Sequence, residues 1–226
     1  MNSPKNPVAN VDRFMRNRHH ASLRYASYDH CFNYFQGFRN QPAALASTGQ
    51  RQLSCLHLGY YLASWGMFRG KAALKQHSSR ALVPTVELIA AAPMSIWTTD
   101  VENYDEHRIN ELIEFKNALS RLVPGGRSGT LTSKIMLGVF GCVPAFDRYF
   151  CEGFNVSGFR RKALLEVHDY YVQHQKTIES CRKKTIDFDG NPTEIRYTQA
   201  KVIDMIFFVE GQELAVRRQR GHSRKQ

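Results

Sequence analysis

Apolar residues recur along most of this chain at the three- and four-residue spacing of helices. Ile109, Leu112, Ile113, Leu119 and Leu122 form the plainest stripe, and Pro124-Gly125-Gly126 stops the helix they predict. Leu53, Leu56 and Tyr60, followed by Tyr61-Leu62-Ala63-Ser64-Trp65, predict a largely buried helix ending near Gly66 or Gly70. Pro84 suits the first turn of a helix through Val86, Leu88 and Ile89, which Pro93 closes. Residues 94 to 106 read as a loop carrying Trp97. Thr130 or Thr132 is expected to cap an apolar helix running through Ile135, Met136, Leu137, Val139 and Phe140 to Gly141, with a turn at Pro144 beyond it. A long helix over 160–183 buries Leu164, Leu165, Tyr171 and Val172, and a last one over 198–213 carries Val202, Ile203, Ile206 and Phe207. Between them, residues 186–192 alternate and then turn, as a small hairpin or a plain loop. Strands are scarce and no repeat is present. The fold class expected is all-α, with at most a minor β-hairpin near 186–197.

Composition narrows the organisation. With 226 residues and 42% hydrophobic content the chain has material for a real core, which excludes a disordered or fibrous protein. Residues 1–18 read as a flexible basic arm bearing Arg13, Arg16 and Arg18. Residues 19–216 read as one compact helical domain or two packed lobes, and 217–226 as a basic tail. No apolar run approaches the ~18 residues of a membrane span, and the polar start lacks a signal-peptide core. The expectation is a soluble, cytoplasmic monomer with no membrane partner. The five cysteines are irregularly spaced and include no C-x-x-C pair, so no disulfide scaffold, structural metal or cofactor is expected. A formal charge of +11 points to a polyanionic partner, nucleic acid first.

The candidate chemistry concentrates in residues 123–147. A glycine-rich turn between two helices offers backbone amides at a helix start, where a phosphate is favoured. Gly125, Gly126, Arg127, Ser128, Gly129 and Thr130 are the candidates for binding it, with Lys134 and Arg148 beside them; the plain alternative is a helix breaker. The order of helix, Pro-Gly turn, apolar helix and Val143-Pro144-Ala145-Phe146-Asp147 resembles the helix-hairpin-helix (HhH-GPD-like) DNA glycosylases. Asp147 follows Pro124 by 23 positions, close to the family interval. The second hairpin glycine is displaced to Gly129. The position of the family's lysine nucleophile falls on Ser128 or Gly129, with Lys134 more than a turn later.

The resemblance thus implies a monofunctional DNA glycosylase without lysine lyase chemistry. It would act on double-stranded DNA carrying a damaged or modified base. Asp147 would stabilise the oxocarbenium-like sugar and orient or deprotonate the attacking water. Its ordinary alternative is a turn cap bonded to the amides of Tyr149 or Phe150.

Such an enzyme must extrude its base into a pocket. Two aromatic segments are candidates to line one, offering Asp29, Asn33 and Tyr34 from the first and Tyr61, Trp65 and Arg69 from the second; an aromatic core with a snorkelling arginine is the alternative. Tyr61 to Met67 and Pro144 to Phe150 are also similar to Brig-type anti-phage glycosylases, which would imply a phage-modified cytosine as the base. Two other functions compete. Arg24 and His30 have the spacing of HEPN-type ribonucleases, in which arginine stabilises a phosphorane and histidine moves a proton. A non-catalytic nucleic-acid binder would use the glycine turn and the basic termini alone.

Overall fold

The computed structural model describes residue 4 and residues 6–70, 72–124 and 128–223. Among these residues ten α-helices and one two-stranded antiparallel sheet dominate the regular structure, so the fold is all-α. The helices are α1 (Pro7–Arg16), α2 (Ala26–Gly37), α3 (Arg51–Ser64), α4 (Val83–Ala90), α5 (Met94–Thr98), α6 (Glu106–Leu122), α7 (Gly129–Phe140), α8 (Arg148–Phe154), α9 (Arg161–Ser180) and α10 (Gln199–Ser223). The hairpin pairs β1 (Lys184–Ile186) with β2 (Pro192–Arg196).

Two helices are buried on every side and form the centre. Every residue of α7 from Leu131 to Phe140 is buried, as is every residue of α10 from Gln199 to Val209. A helix without a polar face must be wrapped by others. On α7 the wrapping comes from α2, α3, α5 and α6, and on the first half of α10 from α1, α8 and α9. Ser128 caps α7 by accepting from the Leu131 amide, which corrects the expected Thr130 or Thr132. Gly141 ends it at φ 68°, a left-handed position that a glycine adopts without steric cost.

Three expectations about organisation need correction. Residues 7–16, assigned to a flexible arm, are helix: Asn6 and Pro7 start α1, which lies on α10 through Val11 and Phe14, while Asn10 Nδ2 donates to Ile206 O at 3.1 Å. Residues 217–223, assigned to a tail, continue α10. The loop expected over 94–106 contains α5 and a 3₁₀ turn at Val101–Asn103, and Trp97 is buried against Phe140. Within α9, Leu165 and Val172 were expected inward and are exposed. No helix among the described residues is long and apolar enough to cross a membrane.

Candidate functional site

The turn after Val143 determines where Asp147 sits. Asp204 Oδ1 on α10 accepts the Ala145 amide at 3.0 Å, and Ser133 Oγ on α7 accepts the Phe146 amide at 2.9 Å. The turn is thereby tied to both central helices. Asp147 then caps α8, its Oδ1 accepting the Phe150 amide at 3.0 Å, as the turn-cap reading expects. Its second oxygen does something a cap does not require: Oδ2 lies 3.2 Å from Lys134 Nζ.

Lys134 is 4% exposed, so the surface phosphate binding expected of it is excluded. Its ammonium is held by Asp147 and by Trp65 O at 3.1 Å, and lies 5.5 Å from the centre of the Trp65 ring. Burial depresses its pKa, and the neighbouring carboxylate opposes that shift. A second pair stands beside it on α10, where Lys201 Nζ meets Asp204 Oδ2 at 2.9 Å. Lys201 packs over the rings of Tyr28 and Phe14 at 4.4 and 4.5 Å. Burial raises the Asp204 carboxyl, and Lys201 pulls it back.

The two ion pairs border one cavity, together with Tyr61, Trp65, Leu137, Ala145 and Phe208. Its open space of about 10 Å³ is that of a single water centre. Trp65 closes one side: its Nε1 donates to Ser27 Oγ at 3.1 Å, Phe14 stacks parallel to it, and the Arg24 guanidinium lies 4.6 Å from its centre. The buried Tyr28 hydroxyl in the same cluster has no hydrogen-bond partner among the described residues. Four compensated charges, an orphan hydroxyl and a tryptophan wall therefore meet where α1, α2, α3, α7, α8 and α10 converge.

Of the expected site residues, Asp147, Tyr61, Trp65 and Lys134 come together here, Lys134 as a buried ion-pair partner instead of a phosphate ligand. Asp29 and Asn33 do not. Both Asp29 oxygens accept from Tyr197 Oη, and Oδ2 also takes the Ile186 amide at 2.9 Å, while Asn33 binds Ile186 O and Thr185. Their role is to hold the β-hairpin against α2. Tyr34 is stacked on His57 at 3.9 Å and bonded to Ser54 and Gln50, in a separate cluster between α2 and α3. Arg69 is exposed.

Thr130 spends its hydroxyl on Phe146 O, and Ser128 serves as a cap; neither is a free phosphate ligand. Gly129 is the first residue of α7, and Gly125, Gly126 and Arg127 lie outside the described residues. Arg148 is exposed and paired with Glu152. Arg24 and His30 line one groove of about 500 Å³ with Arg18, His19 and His20, but Arg24 is engaged by Trp65 and His30 by Phe188.

The residues that sequence reasoning missed are Lys201 and Asp204, and the partnership of Lys134. One signal was available: a lysine and an aspartate three apart inside an apolar run are forced into burial, and a buried charge requires a partner. No group of three His, Cys, Asp or Glu side chains among the described residues is arranged to hold a metal ion. The chain matches no family model, no curated protein and no solved structure.

Proposed function

We propose that this protein is a DNA glycosylase that hydrolyses the N-glycosidic bond of a damaged or modified base. The observation that carries the reading is the Asp147–Lys134 pair, 3.2 Å apart, facing a cavity walled by Tyr61 and Trp65. Asp147 is held in orientation by the Phe150 amide and by Lys134, so it is preorganised against a developing positive charge. As the C1′–N bond breaks, the electron pair leaves with the base and the sugar becomes oxocarbenium-like. Water adds to C1′, its proton passes to Asp147, and the departing base takes a proton, leaving an abasic sugar. A cavity for one water is too small for a nucleobase, so the base enters by displacing the Trp65 wall.

The order of α6, the Pro124-Gly125 sequence, α7 and an aspartate-capped α8 supports a helix-hairpin-helix relationship, and Brig-type specificity for a phage-modified cytosine is the narrower form of the reading. Five unpaired thiols accord with a reducing, cytoplasmic setting, and a monomer suffices because the whole cluster comes from one chain.

The test is release of free base from plain, damaged and phage-modified DNAs, followed by mass spectrometry and alkaline probing for abasic sites. Asp147→Asn is expected to lower release by about 10²–10⁴-fold while DNA affinity is kept. Undiminished release would remove the mechanism. If no DNA yields a base and RNA is cut instead, the Arg24 and His30 reading takes its place.

Lys134 favours a second reading of the same site, against the expectation of no lyase. Its Nζ borders the same cavity 3.2 Å from Asp147 Oδ2, so that, after passing a proton to that carboxylate, the amine is placed to attack C1′ in place of water as the base departs. Borohydride distinguishes the two: a covalent enzyme–DNA product absent from Lys134→Gln means lysine attack, and free base without any trapped product means hydrolysis.

A further inference from the structure

We propose that the groove between α1, α8 and the C-terminal half of α10 carries the phosphate backbone of the DNA, an inference that rests on the glycosylase reading for its choice of partner. The groove has a volume of about 510 Å³ and is lined by Arg13, Tyr149, Val216, Arg217 and Arg220, with the Glu213 carboxylate among them.

Glu213 is shared by two arginines, Arg13 at 2.8 Å and Arg217 at 3.3 Å. Outside the groove's lining, Glu152 on α8 is shared in the same way, by Arg148 at 2.8 Å and Arg218 at 3.2 Å. Two carboxylates thus hold four guanidinium groups, and Arg220 adds a fifth. Each carboxylate positions its arginines without neutralising them, so the face keeps an excess of positive charge. Exposed ion pairs of this kind are weak, and a phosphate can take the carboxylate's place at little cost. Guanidinium suits the exchange, since its planar fork binds phosphate through two parallel hydrogen bonds.

The groove also adjoins the site. Arg148 directly follows Asp147 in the chain, and Tyr149 forms part of the groove wall. The Tyr149 ring stands edge-on to Phe208, which lines the cavity and itself meets Trp65. One aromatic layer separates the arginines from the Asp147–Lys134 pair. A strand held by its phosphates in the groove has a base beside that layer. The phosphate binding expected at the glycine turn moves, in this proposal, to α1, α8 and α10.

The experiment measures affinity for a 20-base-pair duplex by fluorescence anisotropy across a series of salt concentrations, using the full chain. Arg13→Gln/Arg217→Gln/Arg220→Gln is compared with Arg161→Gln/Lys162→Gln/Lys176→Gln, which removes equal charge from exposed positions on α9. The groove variant is expected to bind at least about tenfold more weakly, with a salt slope smaller by about 0.9 for each phosphate it no longer neutralises; the α9 variant is expected to keep the wild-type slope. Equal behaviour of the two variants overturns the proposal.

Glu213→Gln, a single exchange at the partly exposed rim, releases Arg13 and Arg217 and is expected to tighten binding; unchanged or weaker binding overturns it independently. Base release under single turnover at saturating DNA separates the two readings. Loss of affinity in the groove variant stands even if Asp147→Asn proves fully active, and normal binding by the groove variant leaves the role of Asp147 intact.

Discussion

Asp147 and Asp29 are both buried aspartates that begin from similar physics and end in different roles. Burial costs each ionised carboxylate its water, and each recovers hydrogen bonds and a cation. Asp29 spends both oxygens on the structure around it: Tyr197 Oη reaches both, the Ile186 amide takes one, and Arg18 approaches to 3.7 Å. Those partners belong to the hairpin, to the residue that follows it and to the segment after α1, so Asp29 is a tie between distant parts of the chain. Asp147 spends one oxygen on its helix cap and turns the other toward Lys134 at the edge of a cavity. What separates a candidate site from a structural tie is where the partners lead, into fixed backbone or into space a ligand can enter.

The strongest way to break this contrast is to exchange the consequences. Asp147→Asn is expected to act on turnover by orders of magnitude. Asp29→Ala is expected to act on stability instead, by about 3–5 kcal/mol, because it leaves the buried Ile186 amide and Tyr197 hydroxyl without their acceptor and takes the counter-charge from Arg18, which keeps Lys184 O and Tyr197 Oη. Urea unfolding measures the second effect, and base release per folded molecule measures the first. A stable Asp29→Ala protein with impaired release would place Asp29 in the site after all.

A smaller effect tests how α8 holds Asp147. At the crossing of α8 and α10 a Cβ added to Gly211 would run into Tyr149 O, so glycine is what allows the two helices to touch. Gly211→Ala is expected to cost about 1–3 kcal/mol in urea unfolding, by forcing α8 away from α10. Because α8 begins at Asp147, the same shift moves its carboxylate relative to Lys134, and displacement of about 1 Å is enough to cost about 10²-fold in rate. The Asp29 tie lies on other elements and should be unaffected, which a retained Asp29→Ala penalty in the Gly211→Ala background would confirm.

The parts of this contrast legible in the sequence were those with a local signature. The stripe from Ile109 to Leu119 specified α6, and the apolar run closed by Gly141 specified α7, because both patterns are written within one helix. Asp147 was legible from its turn. α1 was not: its buried residues are Asn10, Val11 and Phe14, and their docking site lies some two hundred residues away on α10. Asp29 and Asn33 misled because polar residues among aromatics look the same whether they face a ligand or the backbone of a hairpin. Lys134 misled for the converse reason. Its charge suggested the surface, while its apolar neighbours on α7 carried it inward to a partner on another element.

Asp100 supplies the finest test, as a buried carboxylate whose hydrogen bonds all lead into backbone. It accepts the amides of Gln199 and Ala200 at the start of α10 and that of Val101, yet burial outweighs these bonds and the nearby Arg182 and raises its pKa to about 6. A carboxyl whose folded pKa lies above its unfolded value binds protons more tightly when folded. Its contribution is therefore complete below about 3.8 and is lost as pH rises through about 6. Asp29 and Asp204, also raised by burial, act in the same direction. Glu111, lowered by Arg108 and Ser95 against a desolvation penalty, acts in the opposite direction, and at more acid pH. Between pH 4 and 6 Asp100 is accordingly expected to lower the stability as pH rises, by at most about 1.4 kcal/mol per pH unit, while His57, whose imidazole burial holds below its ordinary value, acts in the opposite direction in the same range. Urea titrations at half-unit steps check the sign. The slope of Asp100→Asn should be more positive than that of the wild-type protein, whatever the exchange costs in absolute stability, since it removes the proton and not the burial. If the wild-type protein and Asp100→Asn titrate with the same slope, another buried carboxyl such as Asp29 or Asp204 drives the pH dependence, and the amides of Val101, Gln199 and Ala200 hold Asp100 ionised in spite of its burial.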